Sequence, residues 1–363
     1  MSFVALFLLP VICDVSCNRK NMNPVIKIKV QNILIIISIA LCFGLLYNYF
    51  YYRHSLTDFL EAGIISLLIG FFVGLLEEFV LTNVFRNKSF LTASAIRAIS
   101  YSLLISVILS LVVSIKISII EEISYEEALF QFLFGSLFQR SFIFSFVFIV
   151  IILFGLQIIL LVGKGNFVRL ILGLYHQPRE ITRIFMFADI KNSTSIAEKL
   201  SNKAFSSLIR DFYYDISDAV FMFGGEIYQY VGDEIVVVWP IRNNDSNCIK
   251  CFFKMQEIIE QNKSNYQSKY GVVPEFKAGI HGGKVIVTAV GKQKKEIVYH
   301  GDVLNTTSRI EGKCNELGQK ILVSEDILSF VDLNQTFTVE KKGDITLRGK
   351  TDKLNLYGIT KCS

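Results

Sequence analysis

A chain of 363 residues with 52% hydrophobic content and a mean hydropathy of +0.46 is too apolar to be wholly water-soluble, so part of it belongs in lipid. The net charge of +5 is small, and Lys and Arg cluster beside the apolar runs, which is membrane-topology patterning; no nucleic-acid partner is expected. The seven cysteines (Cys13, Cys17, Cys42, Cys248, Cys251, Cys314, Cys362) show no disulfide framework, and Cys248 with Cys251 is a lone C-x-x-C in a helical pattern, read as ordinary reduced thiols.

The first 13 residues form an apolar run that lacks a basic leader and an A-x-A-like cleavage site. A cleaved signal is disfavoured; a re-entrant or interfacial segment, or a start codon placed too early, fits as well. Residues 1–29 are read as an N-terminal cytoplasmic segment. Four stretches then reach the ~20 residues a helix needs to cross a bilayer: Val30–Phe50, Leu60–Leu76, Ile96–Ile115 and Phe142–Val162. They define an all-α transmembrane domain over 30–163. Arg19, Lys20, Lys27 and Lys29 precede the first span, Arg86, Lys88 and Arg97 separate the second from the third, and Lys164, Arg169, Arg179 and Arg183 follow the fourth. The first connection has only Arg53, and the third carries Glu121, Glu122, Glu126 and Glu127. The positive-inside rule therefore predicts both termini in the cytoplasm of a multi-pass protein of the cell membrane. Glu77 and Glu78 close the second run; ionisable residues inside a membrane would mark a functional site, but beside Arg86 and Lys88 the cytoplasmic boundary is the favoured reading.

Residues 164–183 are too short and mixed for a domain. Phe167, Leu170, Ile171 and Leu174 recur at helical spacing, so a short amphipathic helix ending before Pro178 is expected, as a plain linker or as a transducer. From 184 to 363 strands and helices alternate. IFMFADI reads as a strand ending in Asp189, and Thr194–Phe223 as a helix stopped by Gly224-Gly225. GEIYQYVGDEIVVVW reads as a hairpin with Asp233 at its turn, and Asp245–Ser264 as a helix. FKAGIHGGKVIVTAV reads as a second hairpin turning at Gly282-Gly283, and Leu304–Glu316 as a helix; KILVS, FTVEKKG and DITLRGK are read as strands. Two aspartates at strand ends suit a site for two Mg²⁺ ions, which take carboxylate and phosphate oxygens and promote in-line phosphoryl displacement. By themselves such aspartates are common.

Three ordered motifs narrow the reading: F187-A-D-I-K-N-S-T194, Y230-V-G-D-E-I235 and H300-G-D-V-L-N-T-T-S-R309. Together they resemble the core of class III adenylate and guanylate cyclases over about Ile184 to Tyr357, and the YHQPRE connector resembles bacterial membrane-bound members. The resemblance implies an α+β, ferredoxin-like α/β sandwich behind the four-helix domain. It implies a homodimer that converts ATP into 3′,5′-cyclic AMP and pyrophosphate with two Mg²⁺ (or Mn²⁺). Asp189, Asp233 and the Ile190 carbonyl would hold the metals, and Asn192, Ser193 and Thr194 would meet the triphosphate. Asn305 would orient the ribose and Arg309 would stabilise the transferring phosphoryl group, both reaching in from the other chain. Arg348 stands where the family usually has a lysine for the terminal phosphates, a swap that guanidinium chemistry permits.

The base-recognition positions depart from the family pattern: Gln229 stands where many adenylate cyclases have lysine, and Val298 where they have Asp or Thr. The Gln amide both donates and accepts, so GTP and a guanylate cyclase remain the alternative to ATP. A catalytically inactive nucleotide-binding receptor is a further alternative, against which the intact Asp189, Asp233, Asn305 and Arg309 weigh. The V-G-D-E turn resembles that of diguanylate cyclases, but the N-T-T-S-R helix does not fit them. Polar residues in the spans are too sparse to favour a transporter or channel. His176, His281 and His300 are read as structural, Lys284 as solvated, Trp239 as core, and Tyr228 and Tyr230 as dimer-interface residues.

Overall fold

The computed structural model describes residues 24–51, 55–81, 89–163, 169, 173–241, 246–293, 295–331, 336–346 and 353–362. Residues 1–13, the flanking Arg19, Lys20, Arg53, Arg86, Lys88 and Lys164, most of the connector helix, and Arg348 lie outside them. The chain divides into two compact units at Ile158/Ile159.

Among the described residues, four helices are long and apolar enough to cross a membrane: α1 (Pro24–Tyr51), α2 (Leu56–Leu76, continued by a π turn at Glu77–Leu81), α3 (Phe90–Glu121) and α5 (Ser136–Val162). The helix α4 (Tyr125–Phe134), started by a Ser124/Glu127 capping box, falls in the connection that was expected to be merely acidic. Small residues let α1 and α2 approach closely: a Cβ on Gly70 would strike the Ile37 backbone, and one on Gly74 would press Ile33. The two glutamates tie three helices together. Glu77 accepts from Arg97 Nε (3.1 Å to each oxygen) and from the Tyr101 hydroxyl on α3, while Glu78 accepts from Asn32 Nδ2 (2.8 Å) on α1.

The second unit is built on a sheet of eight strands among the described residues: β1 (Arg179–Ile190), β2 (Glu226–Val231), β3 (Glu234–Pro240), β4 (Phe276–Val290), β5 (Glu296–His300), β6 (Ile321–Ser324), β7 (Phe337–Thr346) and β8 (Lys353–Lys361). Their order is β2-β3-β1-β4-β6-β8-β7, with β5 paired to β4; β4–β6 is parallel and the other pairs are antiparallel. Between strands lie α6 (Ser193–Lys199), α7 (Asn202–Met222), α8 (Asn247–Gln261), α9 (Lys263–Tyr270), α10 (Asp302–Glu316) and α11 (Glu325–Phe330). This is the expected α+β sandwich. Alternation in β1 sends Ile184, Met186, Ala188 and Ile190 to a core shared with α7, α8 and α9, and Phe185 and Phe187 to the opposite face, with Tyr299 and Val303. Trp239 is buried in the first core, where its indole N–H donates to the Phe223 carbonyl (3.0 Å).

Four sequence expectations need correction. The segment FKAGIHGGKVIVTAV does not turn at Gly282-Gly283; it is the single strand β4, paired from Phe276 to Val287 with β1 and antiparallel with β5 beyond. Those glycines serve close packing, since a Cβ on Gly282 would crowd Ile327 and Ile184 and one on Gly283 would crowd Val303. The strand β1 begins at Arg179 rather than Ile184, because Arg179–Arg183 continue the ladder against Val287–Gly283. Thr194–Phe223 is two helices, broken at Leu200-Ser201, where the Ser201 hydroxyl accepts from the Ala204 N–H and starts α7 afresh. FTVEKKG and the start of DITLRGK form one strand, β7, which passes a register shift at Lys341/Gly343, and its partner β8 was not anticipated.

Candidate active site

The strand β1 runs down the middle of the sheet and ends where Asp189 sits directly across from Glu234 on β3 and Lys277 on β4. Residues opposite one another in antiparallel pairs point to the same face. Three ionisable side chains therefore stand in a row on the face that α10 covers. Asp233 joins them from the two-residue turn between Val231 and Glu234, where Gly232 supplies the positive φ (65°) that so tight a hairpin requires. Asp189 and Asp233 lie within hydrogen-bonding reach of each other.

Above this row α10 is seated against β4. A Cβ on Gly279 would collide with the backbone of Glu311 and Thr307, so glycine is what lets the helix come this close. Glu311 is buried, and its Oε1 lies 2.8 Å from Lys277 Nζ, which is itself 3.9 Å from Asp189 Oδ2. The Lys277–Glu311 contact is an ion pair off the hydrogen-bonding direction, since Oε1 has no aligned donor. Four carboxylates thus face one ammonium. Burial, the neighbouring Asp233 and the charge of Glu311 together hold the Asp189 carboxyl well above the usual range, against the pull of Lys277. Burial, with Glu311 and Asp233, pushes Glu234 up to about 7. Excess negative charge carried by hard oxygen donors is a setting that fits divalent cations such as Mg²⁺.

Among the residues singled out from sequence, Asp189, Ile190 and Asp233 come together here. Asn192, in the left-handed region (φ 55°) that Asn tolerates, begins α6 two residues on, followed by Ser193 and Thr194. Asn305 and Arg309 are not on the acidic side. Val303, Thr306, Thr307, Ile310, Glu311 and Cys314 form the buried arc of α10, and Asn305 and Arg309 lie outside it, each about 160° around the helix from Thr307. Asn305 is exposed and Arg309 half-buried. Gln229 is exposed on β2 and Val298 half-buried on β5; their neighbours Tyr228 and Tyr299 meet edge-on at 5.0 Å in the cluster on one face of the sheet. Tyr228 therefore packs within its own chain, and Tyr230, 47% exposed, rests on Tyr213 (4.5 Å). His281 is buried, with Nδ1 2.7 Å from the Ser324 hydroxyl, and Lys284 is exposed and paired with Glu180.

Sequence reasoning missed Lys277, Glu311, Glu234 and Tyr213. Glu311 was the accessible one, because it shares the α10 phase of Thr307, Ile310 and Cys314 and is an acid where apolar residues are expected. From the connector, Arg169 makes a two-pronged pair with Glu226 at the start of β2 (2.6 and 2.9 Å), and Tyr175 is buried against Phe185 and Tyr299.

The adenylate and guanylate cyclase catalytic domain model matches residues 175–361, from Tyr175 through β8. The chain belongs to the class III adenylate and guanylate cyclase family. Its relatives include adenylate cyclase 2 of Rhizobium meliloti, 34% identical over 211 residues (58% of this chain and 58% of that protein). Another is the adenylate cyclase of Anabaena cylindrica, 25% identical over 181 residues (48% and 36%). The chain thus spans less than two thirds of the length of either. Among solved structures, the adenylyl cyclase CyaB from P. aeruginosa is 19% identical over 52% of this chain and 97% of that one, with a TM-score of 0.46. The cyclase motifs read from the sequence therefore fall in the matched region, and the four long apolar helices precede it.

Proposed function

We propose that this chain is a membrane-bound adenylate cyclase that converts ATP into 3′,5′-cyclic AMP and pyrophosphate at two sites of a homodimer. The observation that carries this reading is the division of the motif residues within one chain. Asp189 and Asp233 meet on the sheet, while Asn305 and Arg309 face away from them on the outer side of α10. A pair turned outward at i and i+4 is placed to complete a site on a second copy. The names of the relatives favour ATP over GTP.

In this reading Asp189, Asp233 and the Ile190 carbonyl hold two Mg²⁺ (or Mn²⁺). Those ions would supply charge neutralisation for the attacking oxygen and the leaving pyrophosphate. The chain's own residues do the rest. Asn192, Ser193 and Thr194 border the phosphates, and Arg348 takes the terminal phosphates. Asn305 of the second chain fixes the ribose so that its 3′-oxygen lies in line with the α-phosphorus, and Arg309 offsets the charge that grows on the transferring group. Preorganised placement of this kind accounts for most of the acceleration in such reactions. Gln229 and Val298 border the base. The catalytic unit lies in the cytoplasm, as the basic flanks of the spans indicate.

The test uses the full-length chain in detergent, incubated with ATP or GTP and Mg²⁺ or Mn²⁺, with the cyclic product identified by mass spectrometry. Cyclic AMP is expected. Cyclic GMP alone would reassign the substrate, and a folded dimer that binds nucleotide without releasing pyrophosphate would refute the reading.

A further inference from the structure

Lys277 has two acidic neighbours on two different elements: Asp189, its register partner on β1, and Glu311 on α10. Both Lys277 and Glu311 are nearly enclosed, at 8% and 7% exposure, so neither charge can turn to water for an alternative partner. The helix they hold is pressed onto β4 at Gly279, where even one added carbon would strike the Glu311 and Thr307 backbone. The rotational setting of α10 is thus fixed from below, by a glycine contact and a buried ion pair. That same setting decides where Asn305 and Arg309 point on the opposite side.

We propose that Lys277 and Glu311 are positioning residues that couple the two active sites of the dimer. Through Lys277 the metal-holding Asp189 of one site is tied to the helix that delivers Asn305 and Arg309 to the other. The inference rests on the shared-site reading above and adds a role for two residues that contact neither substrate nor the partner's site. Divalent ions arriving at Asp189 compete with the Lys277 ammonium for its carboxylate, which leaves Lys277 to Glu311 alone. Metal loading of one site is thereby transmitted to the arginine of the next.

The experiment uses two full-length parents, Asp189→Ala and Arg309→Ala, carrying different tags. Co-purified, they form a heterodimer with one intact site: its aspartates come from the Arg309→Ala chain and its Asn305 and Arg309 from the Asp189→Ala chain. Lys277→Met is then placed in one chain at a time. In the Asp189→Ala chain, Lys277 has no working metal pair beside it and reaches the intact site only through α10. There the proposal expects kcat to fall about fivefold or more with the half-saturating Mn²⁺ concentration unchanged. In the Arg309→Ala chain, loss of the competing ammonium tightens Mn²⁺ binding, read directly by electron paramagnetic resonance of the ion. Glu311→Gln in the Asp189→Ala chain reproduces the kcat loss, and Lys277→Arg restores it. Should Lys277→Met fail to enter the heterodimer, Glu311→Gln and Lys277→Arg decide by the same kcat readout. Heterodimers that assemble yet keep kcat within twofold show that Lys277 and Glu311 do not set α10, and unchanged Mn²⁺ binding with Lys277→Met in the Arg309→Ala chain shows that Lys277 does not act on Asp189; either result overturns the coupling and leaves the shared site standing. Parents that recover no activity on mixing overturn the shared site, and the coupling with it.

Discussion

Tyr213 on α7 braces the turn that carries Asp233: its hydroxyl donates to the carbonyl oxygens on both sides of that residue, Gly232 at 2.9 Å and Glu234 at 3.0 Å. The aspartate itself is not touched, yet its backbone is held at two points by a side chain from a different layer. Burial and the charges of Asp233, Tyr230, Asp189 and Glu234 raise the phenol well above its ordinary range, so it stays a donor throughout the working pH.

Tyr213→Phe keeps the ring, which also packs against Tyr230, and removes only the two hydrogen bonds. The hairpin tip should loosen at a cost of about 1 kcal/mol in stability. The half-saturating metal concentration for cyclase activity should rise several-fold, with little change in kcat once metal saturates. A Mn²⁺ titration of the full-length variant checks this. A fall in saturated kcat with unaltered metal dependence would show that the turn is held by other means.

The crowding of carboxylates around Asp189 predicts how metal affects stability. Trp239 is the sole tryptophan and lies in the catalytic core, so its fluorescence follows unfolding of this unit within the intact chain. Mn²⁺ should raise the unfolding midpoint, the fold gaining about 2.7 kcal/mol in stability when free metal is 100 times Kd. Asp189→Asn removes one of two facing negative charges, so in EDTA it should melt at or above the wild-type temperature while losing the response to Mn²⁺. An unchanged metal response in that variant would contradict the assignment of Asp189.

A second acidic residue behaves in the opposite way. Asp211 on α7 is nearly buried, but Lys269 (2.5 Å), Tyr270 (2.7 Å) and Arg210 outweigh burial and pull its carboxyl below the usual range. Because the folded value is the lower one, its contribution is present above the ordinary carboxylate range near ~4 and is lost as pH falls through the folded value. Asp211→Asn should therefore cost about 1–2 kcal/mol at pH 7, half-exposed Lys269 limiting the figure, and flatten the acid limb of the stability profile. Denaturant curves at pH 7 and pH 3, read by Trp239 fluorescence, measure both.

Where sequence reading succeeded and failed follows from the range of the interactions. Asp189 and Asp233 were legible because each closes a strand with a strong local pattern, and the turn at Asp233 needs its glycine next door. The supposed hairpin at Gly282-Gly283 failed because those glycines answer to Ile327 and Val303, far along the chain, rather than to a turn. Ser201 split a helix whose apolar period runs on across the break, since one hydroxyl at an N-cap outweighs a continuing pattern.

By itself the sequence determined the four apolar spans, the alternation that builds the sheet, and the motifs that mark the family, because these are set by spacing and by the side chains' own chemistry. Only the tertiary structure decided that Lys277 stands between Asp189 and Glu311, that Tyr213 props the Asp233 turn, and that Asn305 and Arg309 turn away from the acids of their own chain. Those relationships join residues tens of positions apart through strand register and helix phase. Neither is fixed until the sheet and α10 have packed.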